Sequence, residues 1–242
     1  MKESKNLDFL PWFMITVSIV GVFIVLSLSL MPVTTIENAE KYRPIIGSLF
    51  IALNLLGIVA VFFPQECSSL IQTKHLSRNW GKGEDETRRY SILLGFKITH
   101  GHHPFCEGFS THEWSVGDKS FCVGCFGLLT GAIFAILGAV SYFYGDFRVN
   151  EASVLVGIGS VGILLTLLHY SMLNTSKRGL RFLLNAYFTS SFLLILMGID
   201  TRLHSVTTDL LVVMLSVFWL LTRINLSKTT HEKICRSCKK PC

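Results

Sequence analysis

Two cysteines separated by two residues, Cys122-Val-Gly-Cys125, can bring both sulfurs to one ion. Just upstream, Cys106 with His100, His102, His103 and His112 supplies third and fourth ligands, so the stretch reads as a metal site first and a redox site second. The ligand set expected is Cys106, Cys122 and Cys125 with one histidine, His102, His103 or His112. A second group, His231, Cys235, Cys238 and Cys242, has the spacing H-x3-C-x2-C-x3-C and could by itself form a tetrahedral set. Its alternative is a basic tail whose cysteines do nothing. Abundant thiols would also suit an iron–sulfur cluster, but the histidines favour zinc.

The elements that must position these residues are membrane helices. The chain has 242 residues, of which 50% are apolar and 16% charged, with a mean hydropathy of +0.50. That composition belongs to an all-α polytopic membrane protein. Six segments are long enough, or nearly so, to cross a core of about 30 Å at about 1.5 Å per residue: Phe9–Met31, Ile45–Phe63, Phe126–Tyr144, Ala152–Leu173, Phe182–Ile199 and Thr207–Leu226. The sixth is the shortest in strictly apolar residues, and Arg223 near its end is expected to extend to the interface. The chain thus divides into two N-terminal spans (1–63), a cytoplasmic Cys/His-rich loop (64–121), four further spans (122–226) and a basic Cys-rich tail (227–242).

Basic residues set the orientation. With the N-terminus inside, the cytoplasmic segments hold 18 Lys and Arg against 4 on the other side, which places both termini in the cytoplasm of a multi-pass plasma-membrane protein. The net charge of +6 is then a consequence of membrane orientation and calls for no nucleic acid. The lipid bilayer is the expected partner, a basic tail can touch anionic lipid, and no protein partner or oligomeric state is specified. All seven cysteines, Cys67 among them, fall on the reducing side, so metal ligation or thiol chemistry is expected ahead of structural disulfides.

Within the loop, Gly81–Tyr90 alternates charges as a solvated surface does, and Ser91–Ile98 is an apolar run too short for periodicity to separate a strand from an interfacial segment. Cys122 and Cys125 open the third span, where a helix N-terminus offers unpaired N–H groups and a partial positive charge to a bound metal or a reactive sulfur alike. Gly127 and Gly131 form a small-residue face for close helix packing. Asn54 and Asn185 are expected to hydrogen-bond to neighbouring helices. His169 lies near the cytoplasmic end of its span, either bonded locally or beneath the cysteines. Asp200, Arg202, His204 and Asp209 fall at an outer turn, where a surface pair is expected.

The pattern Cys106-x15-Cys122-x2-Cys125-x-Gly127-x3-Gly131 resembles the signature of a family of small prokaryotic membrane proteins known only as a domain of unknown function. That signature has Cys-His, a spacer, then Cys-x2-Cys-x-Gly leading into a span. The resemblance covers about 30 of the 242 residues. It implies a prokaryotic membrane protein with a metal-like motif and brings no activity. This chain has Glu107 where the family has histidine, with His102 and His103 ahead of the cysteine instead.

Three functions compete. The first is a zinc site that pins the cytoplasmic loop to the third span. The second is a membrane thiol–disulfide or quinone-linked oxidoreductase that cycles Cys122 and Cys125, although no thioredoxin-like βαβ pattern surrounds them. The third is metal sensing or transport, for which the spans carry few ionisable residues. No nucleotide-binding glycine loop, serine triad or paired-carboxylate hydrolase pattern occurs.

Overall fold

The computed structural model describes residues 4–32, 39–62, 90–93, 96–99, 107–145, 147–173 and 177–237. Its helices are α1 (Ser4–Ser29), α2 (Ala39–Phe62), α3 (Val123–Phe143), α4 (Ala152–Leu168), α5 (Arg178–Leu203) and α6 (Val206–Ser237). All six are long and apolar enough to cross a membrane, so the chain is an all-α integral membrane protein. The described strands are two short antiparallel hairpins. β1 (Tyr90–Leu93) pairs with β2 (Phe96–Thr99), within the apolar run whose periodicity was ambiguous. β3 (Glu113–Val116) pairs with β4 (Lys119–Cys122), with Glu113 opposite Cys122. Gly117 takes φ +58° in the turn of that second hairpin, a conformation that L side chains resist.

α5 is the most enclosed helix and packs most closely on α3 and α4. Lipid supplies no hydrophobic drive between spans, so close contact depends on small residues and interhelical hydrogen bonds. A Cβ on Gly127 would collide with the Phe182 carbonyl and with Asn185, and one on Gly131 with Thr189 Oγ1 and the Ala186 carbonyl. The small-residue face read from the sequence is therefore the α3–α5 contact. Gly159 and Gly162 do the same for α4 against Ser191 and its neighbours on α5. Phe188, Ile195, Leu196 and Ile199 of α5 then fill the centre with Val156 and Ile163 of α4 and Trp219 of α6. The Trp219 indole donates to the Ser18 carbonyl at 3.1 Å and Ser18 pairs with Thr222 at 3.0 Å, which fastens α1 to α6. Phe9, Trp12 and Phe23 on α1 and Phe134 on α3 remain exposed, as lipid-facing residues do.

Three expectations change. Asn54 turns its amide back to the Phe50 carbonyl of its own helix at 2.9 Å, a bond within one turn, rather than to a neighbouring span. Arg223 does not reach outward: it is 7% exposed and held among polar side chains of other helices. Asp200 and Asp209 are no surface pair, since both are 2% exposed. The reason is the two-residue link between α5 and α6. His204 ends α5 in the left-handed region (φ 45°), donates its N–H to the Asp200 carbonyl at 3.0 Å, and folds α6 straight back against the bundle.

Replacing Gly131 by Leu must force α3 and α5 apart. It is expected to cost at least the ~1–3 kcal/mol of ordinary overpacking and to lower the melting temperature of the detergent-solubilised protein, while Gly57→Leu on α2, which meets nothing within 4 Å, leaves it unchanged.

Candidate metal or thiol site

Strand β4 delivers Cys122 to the first position before α3, with the backbone extended at φ −71° and ψ 117°. From there the Cys122 sulfur accepts the Cys125 N–H at 3.5 Å, so it caps the helix whose first turn also carries Cys125. The hairpin is hooked to the same point from its other end, because the Val123 N–H donates to the His112 carbonyl at 2.9 Å. His112 in turn donates its backbone N–H to the Phe109 carbonyl at 2.8 Å, closing the turn that precedes β3. Arg178, at the start of α5, donates to the Ser110 carbonyl at 3.1 Å. Trp114 of the hairpin packs on Phe182 with ring centroids 5.2 Å apart and on Phe126 at 6.3 Å.

The C-terminal helix completes the arrangement. α6 runs past its apolar stretch and carries His231 to the hairpin, where its ring lies 5.6 Å from that of His112 and 5.5 Å from that of Phe109, both edge-on. His112, Cys122, Cys125 and His231 together line one cavity of about 30 Å³, space for an ion or a water. One member of the tail group predicted from sequence, His231, thus meets His112, Cys122 and Cys125 of the loop group.

The other wall of the cavity is cationic. Arg181 and Arg223, 3% and 7% exposed, line it together with Tyr170, Ser227 and Gly124. Arg223 donates Nε–H to Asn185 Oδ1 at 2.9 Å and an Nη2 hydrogen to the Tyr170 hydroxyl at 2.9 Å, with its guanidinium carbon 4.9 Å above the Tyr170 ring. Asn185 closes the network by donating to the Tyr170 hydroxyl at 2.9 Å and to the Arg181 carbonyl at 2.6 Å. Asn185 makes the interhelical bonds expected of it, tying α5 to α6 and to Tyr170 just beyond the end of α4. Gly124 is what admits the guanidinium: a Cβ there would lie 3.0 Å from Arg223 Nη2. Arg181 and Arg223 thus line the same cavity as Cys122 and Cys125, and positive charge borders the sulfurs.

The donor chemistry suits zinc. Two imidazoles on one tetrahedral ion, with Zn–N bonds of about 2.1 Å, hold their ring centroids roughly 5 Å apart, and the His112–His231 spacing is of that order. The described side chains do not yet form a coordination sphere, because no three His, Cys, Asp or Glu among them are grouped closely enough to hold an ion. His100, His102, His103, Cys106, Cys238 and Cys242 lie outside the described residues, and Cys235 is described by its backbone alone. His169 sits in a π-helical turn (His169–Leu173), fully buried against Tyr170 with neither ring nitrogen hydrogen-bonded. It is not among the residues lining the cavity.

Arg181, Arg223, Tyr170 and Ser227 are the lining residues that motif spacing did not single out. One signal was available: Arg223, Ser227 and His231 recur every four residues, a single face of α6, and Cys235 is next in that row. No protein-family model matches the chain, and neither a curated protein nor a solved structure does.

Replacing Asn185 by Leu leaves the buried Arg223 guanidinium short of an acceptor and is expected to destabilise the protein by about 1–3 kcal/mol. Adding Arg223→Met should recover part of that loss, because a buried pair replaced together is nearly neutral. Thermal unfolding of the single and double variants in detergent measures both.

Proposed function

We propose that this integral membrane protein holds a zinc ion in a Cys/His site that joins its long loop to its C-terminal helix. The site uses Cys122 and Cys125 with His112 and His231, and Cys106, His102, His103, Cys235, Cys238 and Cys242 are the further candidate ligands. The observation that carries this reading is the arrival of His231 at the cavity of His112, Cys122 and Cys125, from a segment more than a hundred residues later in the chain. Convergence of thiol and imidazole side chains from separate elements is what a metal-held junction requires. A metal would supply folding energy to the loop that it holds. Lewis acidity is what a bound zinc would add to the site; this chain's part is to bring the donors together and to enclose them beneath the hairpin. The excess of Lys and Arg on one side, 18 against 4, supports a cytoplasmic setting for the site and for both termini, in the plasma membrane of a prokaryotic cell. The resemblance of the Cys106–Gly131 stretch to an uncharacterised prokaryotic membrane family is in keeping with this.

A second reading is thiol–disulfide exchange at Cys122 and Cys125 with a quinone or protein dithiol as partner. It is favoured by one specific observation, the two buried arginines that share a cavity with the sulfurs at a helix N-terminus.

Elemental analysis of the reduced, detergent-purified protein distinguishes the two. About one zinc per chain, lost in Cys122→Ser/Cys125→Ser and weakened in His231→Ala, is the expected result, and the double variant should gain protease sensitivity between residues 64 and 121. Absence of metal, with a reversible two-electron couple at Cys122 and Cys125 in thiol redox buffers, would replace it by the second reading.

A further inference from the structure

The cavity beneath the hairpin has two unlike walls. Sulfur and imidazole line one of them, and hydrogen-bond donors line the other: Arg181, Arg223, Ser227 and Gly124. Arg223 is buried, and among the described residues its hydrogen bonds go to neutral acceptors, Asn185 Oδ1 and the Tyr170 hydroxyl. A guanidinium enclosed in this way has its geometry met and its charge unmet. No Asp or Glu is among the described residues that line the cavity. A zinc held by two thiolates and two imidazoles is electrically neutral, so it would leave that charge as it stands.

Ser227 provides a second, independent observation. Ser216, Thr222, Thr229 and Thr230, also on α6, each donate to the carbonyl four residues earlier, at 2.9, 3.0, 3.1 and 3.0 Å. That is how a hydroxyl on a membrane helix is ordinarily satisfied. Ser227 makes no such bond among the described residues and lines the cavity one turn beyond Arg223. Its hydroxyl is a donor available to whatever the cavity holds. Gly124 brings in the first turn of α3, where the helix carries partial positive charge. On either side of it, the Val123 amide is taken by the His112 carbonyl and the Cys125 amide by the Cys122 sulfur.

We propose that this wall binds a small anion, of about halide size, against Arg223, Arg181, Ser227 and the first turn of α3. The anion supplies the counter-charge that Arg223 lacks, near the end of a span where an unmatched charge is costly. Charge-assisted hydrogen bonds from guanidinium and hydroxyl select an anion over a water in the same place. The cavity of about 30 Å³ is about twice the roughly 10–15 Å³ that one water needs, so an anion on this wall leaves room for a zinc at the sulfurs. The inference goes beyond the zinc reading and does not rest on it, because the donors stand in place with or without a metal.

Chloride is the probe, added to the full-length protein purified in detergent and potassium gluconate. Titration is expected to give saturable broadening of the chloride NMR line and a rise in melting temperature. Ser227→Ala, which leaves the Arg223–Asn185–Tyr170 network whole, should weaken binding about tenfold, as loss of one hydrogen bond to a charged ligand does, and Arg223→Gln should abolish it. Broadening that does not saturate, or that is the same in wild type and both variants, overturns the proposal, as does an equal rise in melting temperature on adding more gluconate. Zinc measured on the same samples keeps the two readings apart. Saturable chloride binding in wild type that contains no zinc, or that survives its removal by a chelator, supports the anion site whatever becomes of the metal. Binding that vanishes with the metal from a protein still folded makes chloride a zinc ligand and overturns the arginine wall as its site.

Discussion

Burying the Arg223 guanidinium is the demand that shapes the cysteine end of the bundle. A charged group enclosed there must find hydrogen-bond acceptors within the protein, and among the described residues Asn185 and Tyr170 supply them. Asn185 must then lie on α5 where it faces α6, Tyr170 must reach across from the π-helical turn after α4, and α3 must present no side chain at position 124. Once these are met, α3, α4, α5 and α6 converge at one level. Cys122 at the cap of α3 and Cys125 on its first turn come to lie at one small cavity with the two arginines. The geometry of the sulfurs thus depends on a network containing no sulfur.

Among the described residues, the buried Arg and Asp side chains gather at two levels, with apolar and small hydroxyl residues between them. At one end stand the cysteines, His112, His231 and two arginines, and at the other Arg43, Tyr142, Asp200 and Asp209. Between them Phe188, Phe192, Ile195 and Trp219 fill the space. Polar groups near the ends of spans cost less than at the middle, and each set also ties several helices together. Glycine contacts hold the same helices between the two levels, which is how spans associate in lipid.

Much of the fold was legible from hydropathy. A run of twenty apolar residues has few outcomes other than a membrane helix, and all six spans appear near their predicted places. The ends were less legible, because the side-chain pattern does not stop where the apolar run stops. α6 continues through a polar stretch to Ser237, and α2 begins at Ala39, ahead of Pro44. The small-residue face of Gly127 and Gly131 was readable because it needs only spacing. Asn54 was misread because a side-chain amide chooses between its own helix and the next by geometry that spacing does not contain.

For the candidate site, the sequence alone determined the chemistry: Cys122 and Cys125 two residues apart at the mouth of a span, histidines upstream, and a His/Cys group at the C-terminal end. Ligand type and spacing are local properties, and local properties survive in one dimension. Tertiary structure alone decided that His231 meets His112, that Arg181 and Arg223 turn inward to the sulfurs, and that Asp200 and Asp209 are buried together. Each of these joins residues on different helices, and which faces meet is set by packing of the whole bundle. A basic residue near the end of an apolar run can extend to the interface or be satisfied inside, and only a partner on another helix, here Asn185, makes the second outcome the stable one.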